Sequence, residues 1–310
     1  MSDPPMPTHH GVEAPVKGSY SNETLQLLHQ RGSCRHFKDK KIPKKVLEQI
    51  LGAAVHAPSA GNLQSFSIIM IEDPERRKEL MKICGNQRFI GEAPVNLVIC
   101  LDQRRSMRWS ELDVAPFTAT SEIRWFLMDF QLTGIVGQAI CMAADALGLG
   151  SCYVGNALAS AGEVAEFLEL PRGVFTGTLI SIGYPVKKPP TMKKHRLSTI
   201  LHNERYRDLP DDELLAAHRE KYTAPGAPRV EITENRLKTL YQTCLRVHGK
   251  EYAERSVAHA RKLGYISPVQ RYFGLHYRAD SVLFMQNSEF MKDIENQGWN
   301  IFRDYDPPKG

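Results

Sequence analysis

Apolar positions follow helical and strand periods in turn up to about residue 205, and then the chain changes character. Leu25, Leu27 and Leu28 follow the helix-capping residue Asn22, and their pattern stops at Gly32. Pro43 opens a second helix, with Val46, Leu47, Ile50, Leu51 and Ala54 at i, i+3, i+4 spacing. The apolar runs 66–71, 95–101 and 176–182 predict buried strands. Helices are expected over 74–83 and 123–147, with a short one over 164–170 closed by Pro171. The long helix carries Gly134, Gly137, Ala139, Ala143 and Ala144, small residues that let another backbone approach, so it belongs at the centre of the domain or at a subunit interface. Gly148-Leu149-Gly150 ends it, and Ser151–Asn156 is expected to lead into a loop. Strands alternating with helices predict an α/β or α+β domain around a sheet.

Outside that region the composition shifts. Residues 1–19 are polar and proline-rich, with too few apolar groups to offset ordering, and are expected to form a disordered tail. Residues 20–205 form the main domain, and 206–310 a helical, aromatic-rich extension with linkers near Pro210–Glu213 and Thr223–Pro228 and helices over 234–247 and 251–263. Forty Lys and Arg against thirty-five Asp and Glu leave a net charge of +5, scattered along the chain, which argues against nucleic acid as a partner. No uninterrupted apolar run approaches the roughly 20 residues that cross a bilayer, so no membrane association and a cytoplasmic location are expected. The six cysteines show no Cys-x-x-Cys pair and no metal-ligand spacing, which predicts buried thiols, no disulfides and no metal.

Two stretches carry candidate chemistry: Arg31-Gly32-Ser33-Cys34-Arg35-His36-Phe37, and Ala57-Pro58-Ser59-Ala60-Gly61-Asn62-Leu63-Gln64. Guanidinium forks bind two phosphate oxygens at once, so Arg31 and Arg35, with Ser33 between them and Lys194 and Arg196 from farther along, fit either an anion clamp or a solvated charged loop. Cys34, flanked by arginines, is either an activated thiol or a small space-filling side chain. There is no Gly-x-Gly-x-x-Gly between a strand and a helix, no phosphate-binding P-loop and no Gly-x-Ser-x-Gly elbow around Ser59, which removes the commonest nucleotide and hydrolase patterns.

These elements, followed in order by Ala93-Pro94, Leu147–Gly155, Ile180–Pro185 and Lys194-x-Arg196, resemble the FMN-dependent nitroreductase family over roughly residues 20–205. The resemblance implies an α+β nitroreductase-like fold with a central, mostly antiparallel sheet, and a homodimer holding FMN at the subunit interface. Arg31, Gly32, Ser33 and Arg35, joined by Lys194 and Arg196, would hold the phosphate, ribityl chain and pyrimidine edge from one subunit. Pro58, Ser59, Asn62 and Gln64 would reach the flavin of the other, Asn86 or its neighbour Gln87 the polar edge of the ring, and Val154 and Gly155 the N5 region. NADPH or NADH would donate hydride and a small electron-poor acceptor, a nitroaromatic or quinone, would take it, with no catalytic side chain. Phe117, ahead of Trp109 and Trp125, is expected to stack on the acceptor, and Arg104, Arg105 or Arg108 to meet a 2′-phosphate. The alternatives are a flavin- or ligand-binding protein without turnover, a reductive dehalogenase and a flavin-fragmenting enzyme. Gly32 stands where the family commonly has a bulkier residue, and the extension would either roof the cleft or form a peripheral appendage.

Overall fold

Four strands, β1 (Phe66–Ile71), β2 (Val95–Asp102), β3 (Gly150–Val154) and β4 (Val174–Gly183), form one antiparallel sheet in the order β1-β2-β4-β3. This is a computed structural model, and it describes residues 20, 22–222, 230–277, 279 and 287–306. The tail read over 1–19 and the linker Thr223–Pro228 lie outside them. All eight residues of β2 are buried, because helices cover both faces of the sheet. Alternation divides its side chains: Val95, Leu97 and Ile99 join one core cluster, Val98 and Cys100 the other. A fully buried leucine such as Leu97 contributes about 1.5–3 kcal/mol.

The flanking helices are α1 (Glu23–Gln30), α2 (Lys44–Val55), α3 (Pro74–Ile83), α4 (Arg88–Glu92), α5 (Arg104–Leu112), α6 (Ile123–Ala146), α7 (Asn156–Ala159) and α8 (Ala161–Phe167). Asn22 caps α1, its Oδ1 accepting from the N–H of Leu25 at 2.9 Å. α2 and α6 pack on one face, with Leu47, Ile50, Leu132, Val136 and Ile140 in the shared core. By length and composition α6 could cross a membrane, but these buried residues make it the central helix of the domain. Its small residues work as expected: a Cβ on Gly137 would stand 2.5 Å from the Tyr153 hydroxyl, which donates to the carbonyl of Gly134.

Three features differ from the sequence expectation. Residues 150–154, expected to enter a loop, form β3, whose glycine start and mixed polarity hide its strand character. The short helix begins at Ala161 rather than Val164, and stops at Phe167 because Glu169 turns into positive φ. The segment expected to lie over the site contains a full helix, α5.

Contacts divide the chain into two units, one including 15–191 with 288–310 and the other including 192–287. In the first, the helix Asn287–Asn296 and the turn after it lay Ile294, Trp299 and Ile301 against Phe126 and Phe175, and the Asn300 N–H donates to the Thr120 carbonyl. The second contains helices Asp211–Tyr222, Glu234–His248 and Lys250–Leu263, a turn Pro268–Gln270 and a π-helical stretch Arg271–His276. Leu237, Leu240, Ala260 and Ile266 form its core.

Candidate functional site

Backbone pairing lays the first motif along the outer edge of β3. Ser33 bridges Ser151 in parallel, the Cys34 N–H donates to the Ser151 carbonyl at 2.9 Å, and Phe37 bridges Pro185. Alternation follows: Cys34 and Phe37 are buried, while Ser33 and Arg35 face outward. Gly32 is required here, since a Cβ would come within 2.6 Å of the Pro190 carbonyl oxygen. That contact explains the absence of a bulkier residue.

Arg31 points inward. Its Nη2 donates to Ser151 Oγ at 3.3 Å, and its Nε lies 3.5 Å from Asp145 Oδ2. Neither of those last two atoms makes a hydrogen bond, although both are buried. Burial pushes the Asp145 carboxyl up to about 6 against the opposing pull of Arg31 and Lys188. Burial also raises the Cys34 thiol, outweighing Arg35, so Cys34 is a space-filling thiol rather than an activated one.

The same edge gathers more of the expected residues. Val154 ends β3, and Gly155 follows it, exposed and with open space where a Cβ would stand. A Cβ on Gly85 would strike the side chain of Asn156, so the turn holding Asn86, exposed and at φ 54°, lies beside the start of α7. Gln87 is half-buried and donates to the Cys84 carbonyl at 3.3 Å.

Pro58–Gln64 lies at the opposite edge, leading into β1. Three steps of about 4.8 Å separate the two edge strands, which puts the halves of the expected site roughly 14 Å apart or more within one chain. The loop is locally strained: Gly61, Asn62 and Gln64 all have φ between 50° and 56°. Ser59 Oγ accepts from the Gln64 N–H at 3.2 Å, and Gln64 Nε2 donates to the Val55 carbonyl at 3.0 Å.

Side chains from outside the motif hold that loop. From α5, Arg105 donates to the carbonyls of Gln64 and Phe66, both at 2.8 Å, and to Ser67 Oγ and Asp102 Oδ2. Beneath it, Asp129 accepts from Ser65 and from Gln103 at 2.7 Å, and burial raises its carboxyl against those bonds. Arg105, expected near a ligand phosphate, is thus committed to shaping the loop, and Arg104 reaches the Arg172 carbonyl. Arg108 and Trp109 are exposed, whereas Phe117 and Trp125 are half-buried. No local pattern marks Arg105 for this role, because the carbonyls it grips lie about forty residues away.

Lys194 and Arg196 belong to the second unit, where Arg196 pairs with Glu220 at 2.7 Å and Lys194 is exposed.

Comparison with known proteins places this geometry. The pattern of the Nitroreductase family matches residues 28–184, just over half of the chain. The chain belongs to the nitroreductase family. Among its relatives is an FMN reductase [NAD(P)H] of Bacillus subtilis, 32% identical over 65% of this chain and 80% of that protein. The fold is shared with the hypothetical oxidoreductase YcnD of Bacillus subtilis (24% identical, TM-score 0.70, 91% of this chain and 100% of the other). It is also shared with an NADPH:FMN oxidoreductase of Vibrio harveyi solved with NAD+ (27% identical, TM-score 0.60, 64% and 84%). In this nitroreductase-family chain the matched region contains both motifs and the whole sheet except for its flanking C-terminal helix.

Proposed function

We propose that the chain is an FMN-dependent oxidoreductase that takes hydride from NADPH or NADH and passes it to a small electron-poor acceptor such as a nitroaromatic or quinone, in a ping-pong sequence. The observation that carries this reading is the β3 edge, where Ser33 and Arg35 face outward from a segment bridged to Ser151 and the strand ends at Val154 and the exposed Gly155, all within the family-matched region. The relatives' names, an FMN reductase and an NADPH:FMN oxidoreductase, support it.

The residues present fit FMN. Arg31 keeps a buried Nε without a hydrogen-bond partner, Arg35 and Ser33 offer exposed donors, and Gly155 leaves room for a ring against the backbone. Arg31, Ser33 and Arg35 would hold the cofactor from one subunit. Pro58, Ser59, Asn62 and Gln64 would complete the site from the other, with Asn86 at the polar edge and the N–H groups of Val154 and Gly155 toward the ring. FMN, when bound, supplies the two-electron hydride chemistry. Arg35 would place positive charge where the ring becomes electron-rich, and Phe117 would orient a flat acceptor.

The separation of the two edges supports a homodimer. α6 carries an exposed stripe, Ile123, Leu127 and Ile135 with Gly134 between, beside exposed Leu25 and Leu28 of α1. Leu127 is 57% exposed on an otherwise central helix, and a second copy is the occupant that would bring β1 of one chain to β3 of the other.

The decisive experiment is optical. The purified protein should carry oxidised-flavin absorbance that bleaches anaerobically with NADPH or NADH and returns when an acceptor is added. A colourless protein that takes up no FMN sinks the proposal, and a yellow protein that never bleaches leaves a binding protein without turnover. Initial rates with two substrates should give parallel reciprocal plots, and intersecting ones would rule out the ping-pong order.

A further inference from the structure

The second unit contains a cavity of about 520 Å³ between the helices Asp211–Tyr222 and Lys250–Leu263 and the turn at Ser267–Gln270. That volume lies within the usual range for small-molecule sites. Its walls have one chemical bias. His218, Arg219, Arg255 and His259 line it together with Tyr222 and Tyr252, and among the described residues no lining residue is acidic.

Chance does not readily give that bias here, because both helices carry carboxylates. Glu213 is turned to Arg207, Glu220 to Arg196 and Lys193, and Glu254 to Lys250. Those three carboxylates are thus directed to partners elsewhere. Arg255 lies 5.9 Å from the Tyr252 ring centroid and forms no ion pair among the described residues. The surroundings are electropositive in the same sense: after burial, the groups holding His218 below its ordinary value are His195, Lys221 and Arg219.

The cavity is also built rather than incidental. Ser267 and Gln270 form a reciprocal capping box, and Gln270 Nε2 donates to the Ser256 carbonyl at 2.8 Å, fixing the turn against the Lys250–Leu263 helix. On the other side the His218 ring lies 4.7 Å from Tyr222, which meets Tyr272 at 6.5 Å, and Tyr272 stacks on Tyr277 at 5.9 Å. The π-helical stretch containing Tyr272 is a rare conformation that recurs at functional sites.

We propose that this cavity binds a small aromatic anion, a flat ring carrying phosphate or carboxylate. The tyrosine faces, with Leu215 and Leu263, take the ring, and Arg255 and His259 take the anion. Neither group depends on the flavin reading, since all the lining residues lie in the second unit.

Calorimetric titration of the full-length protein as purified, with phenyl phosphate and benzoate as probes and benzamide and inorganic phosphate as controls, tests this. Saturable one-to-one binding is expected for at least one aryl anion, at least tenfold tighter than for either control, with any flavin absorbance unchanged by the titration. Phenyl phosphate alone would identify an aryl phosphate, benzoate alone an aryl carboxylate. Arg255→Gln and His259→Gln, both exposed helix positions whose exchange leaves folding intact by thermal melting, should each weaken binding about tenfold, the 1.4 kcal/mol scale of one charge-assisted bond. No saturable binding at millimolar probe, equal binding of benzamide, or an affinity unchanged in both variants would overturn the proposal.

Discussion

The two edges of the sheet present polar groups to solvent by opposite means. At β3 the segment from Arg31 to Lys38 is held through main-chain bonds, from the Cys34 N–H to the Ser151 carbonyl, from the Lys38 N–H to the Tyr184 carbonyl and from the Val186 N–H to the His36 carbonyl, so its outward side chains are not needed to keep it in place. At β1 the Pro58–Gln64 loop has three residues in positive φ and is held largely by side chains: Ser59 and Gln64 within the loop, and the guanidinium fork of Arg105, backed by Asp102, at its end. A backbone-held edge tolerates changes in the side chains it displays, whereas a side-chain-held edge fails when its clamp is removed. In the proposed dimer the two kinds of edge meet, so FMN binding would depend on both and on the interface joining them.

The largest expected effect breaks the meeting itself. Leu127→Glu puts a charge at the centre of the apolar stripe on α6 and should convert dimer to monomer in sedimentation, while FMN affinity falls about a hundredfold, close to 3 kcal/mol. A monomer that retains FMN at wild-type affinity would show that one chain suffices and that the separation of the edges has no functional meaning.

Removing the clamp comes next. Arg105→Ala removes the side-chain donor to the Gln64 and Phe66 carbonyls and the cation paired with the buried Asp102, and should cost about 2–3 kcal/mol in urea unfolding. Arg105→Lys should recover less than half, because an ammonium cannot fork to two carbonyls. Ser33→Ala, on the backbone-held edge, should change stability by less than about 0.5 kcal/mol while weakening FMN binding. Equal losses of stability in Arg105→Ala and Ser33→Ala would erase the distinction between the edges. Gly32→Ala probes the backbone-held edge where it is tightest, and overpacking against Pro190 should cost roughly 1–3 kcal/mol.

These contrasts track what the sequence disclosed. Periodicity located β1, β2, β4 and α6 because each carries a long apolar pattern. It missed β3, five residues that begin with glycine and pair on one side with β4 and on the other with an isolated bridge. The motif containing Ser33 and Arg35 was legible as part of the family pattern through its order with other motifs. The partners of Arg31 were not, since Asp145 and Ser151 lie more than a hundred residues away and become neighbours only when β3 forms. Arg105 was misplaced for the same reason: a guanidinium in a sequence reads as a hand for an anion, and only the fold shows two carbonyls already in its grip.

The last expected effect concerns the buried pair on the β3 edge and reads out in pH. Asp145 titrates near 6 when folded, above its ordinary value of 3.8, because burial disfavours its charge more than Arg31 and Lys188 favour it. The folded state therefore binds the proton more tightly than the unfolded one, so this group's stabilisation is complete below about pH 4 and is lost as pH rises through 6. Relative to Asp145→Asn, the wild type should lose on the order of 1–2 kcal/mol between about pH 4.5 and 6.5, measured by urea midpoints at each pH. Parallel profiles for the two proteins would show that Asp145 is ordinarily solvated and that Arg31 pairs with it only weakly. If the profiles diverge as expected, Asp145→Asn also leaves Arg31 unneutralised at neutral pH. The variant should then bind FMN several-fold more tightly, because the inward guanidinium becomes available to the cofactor phosphate.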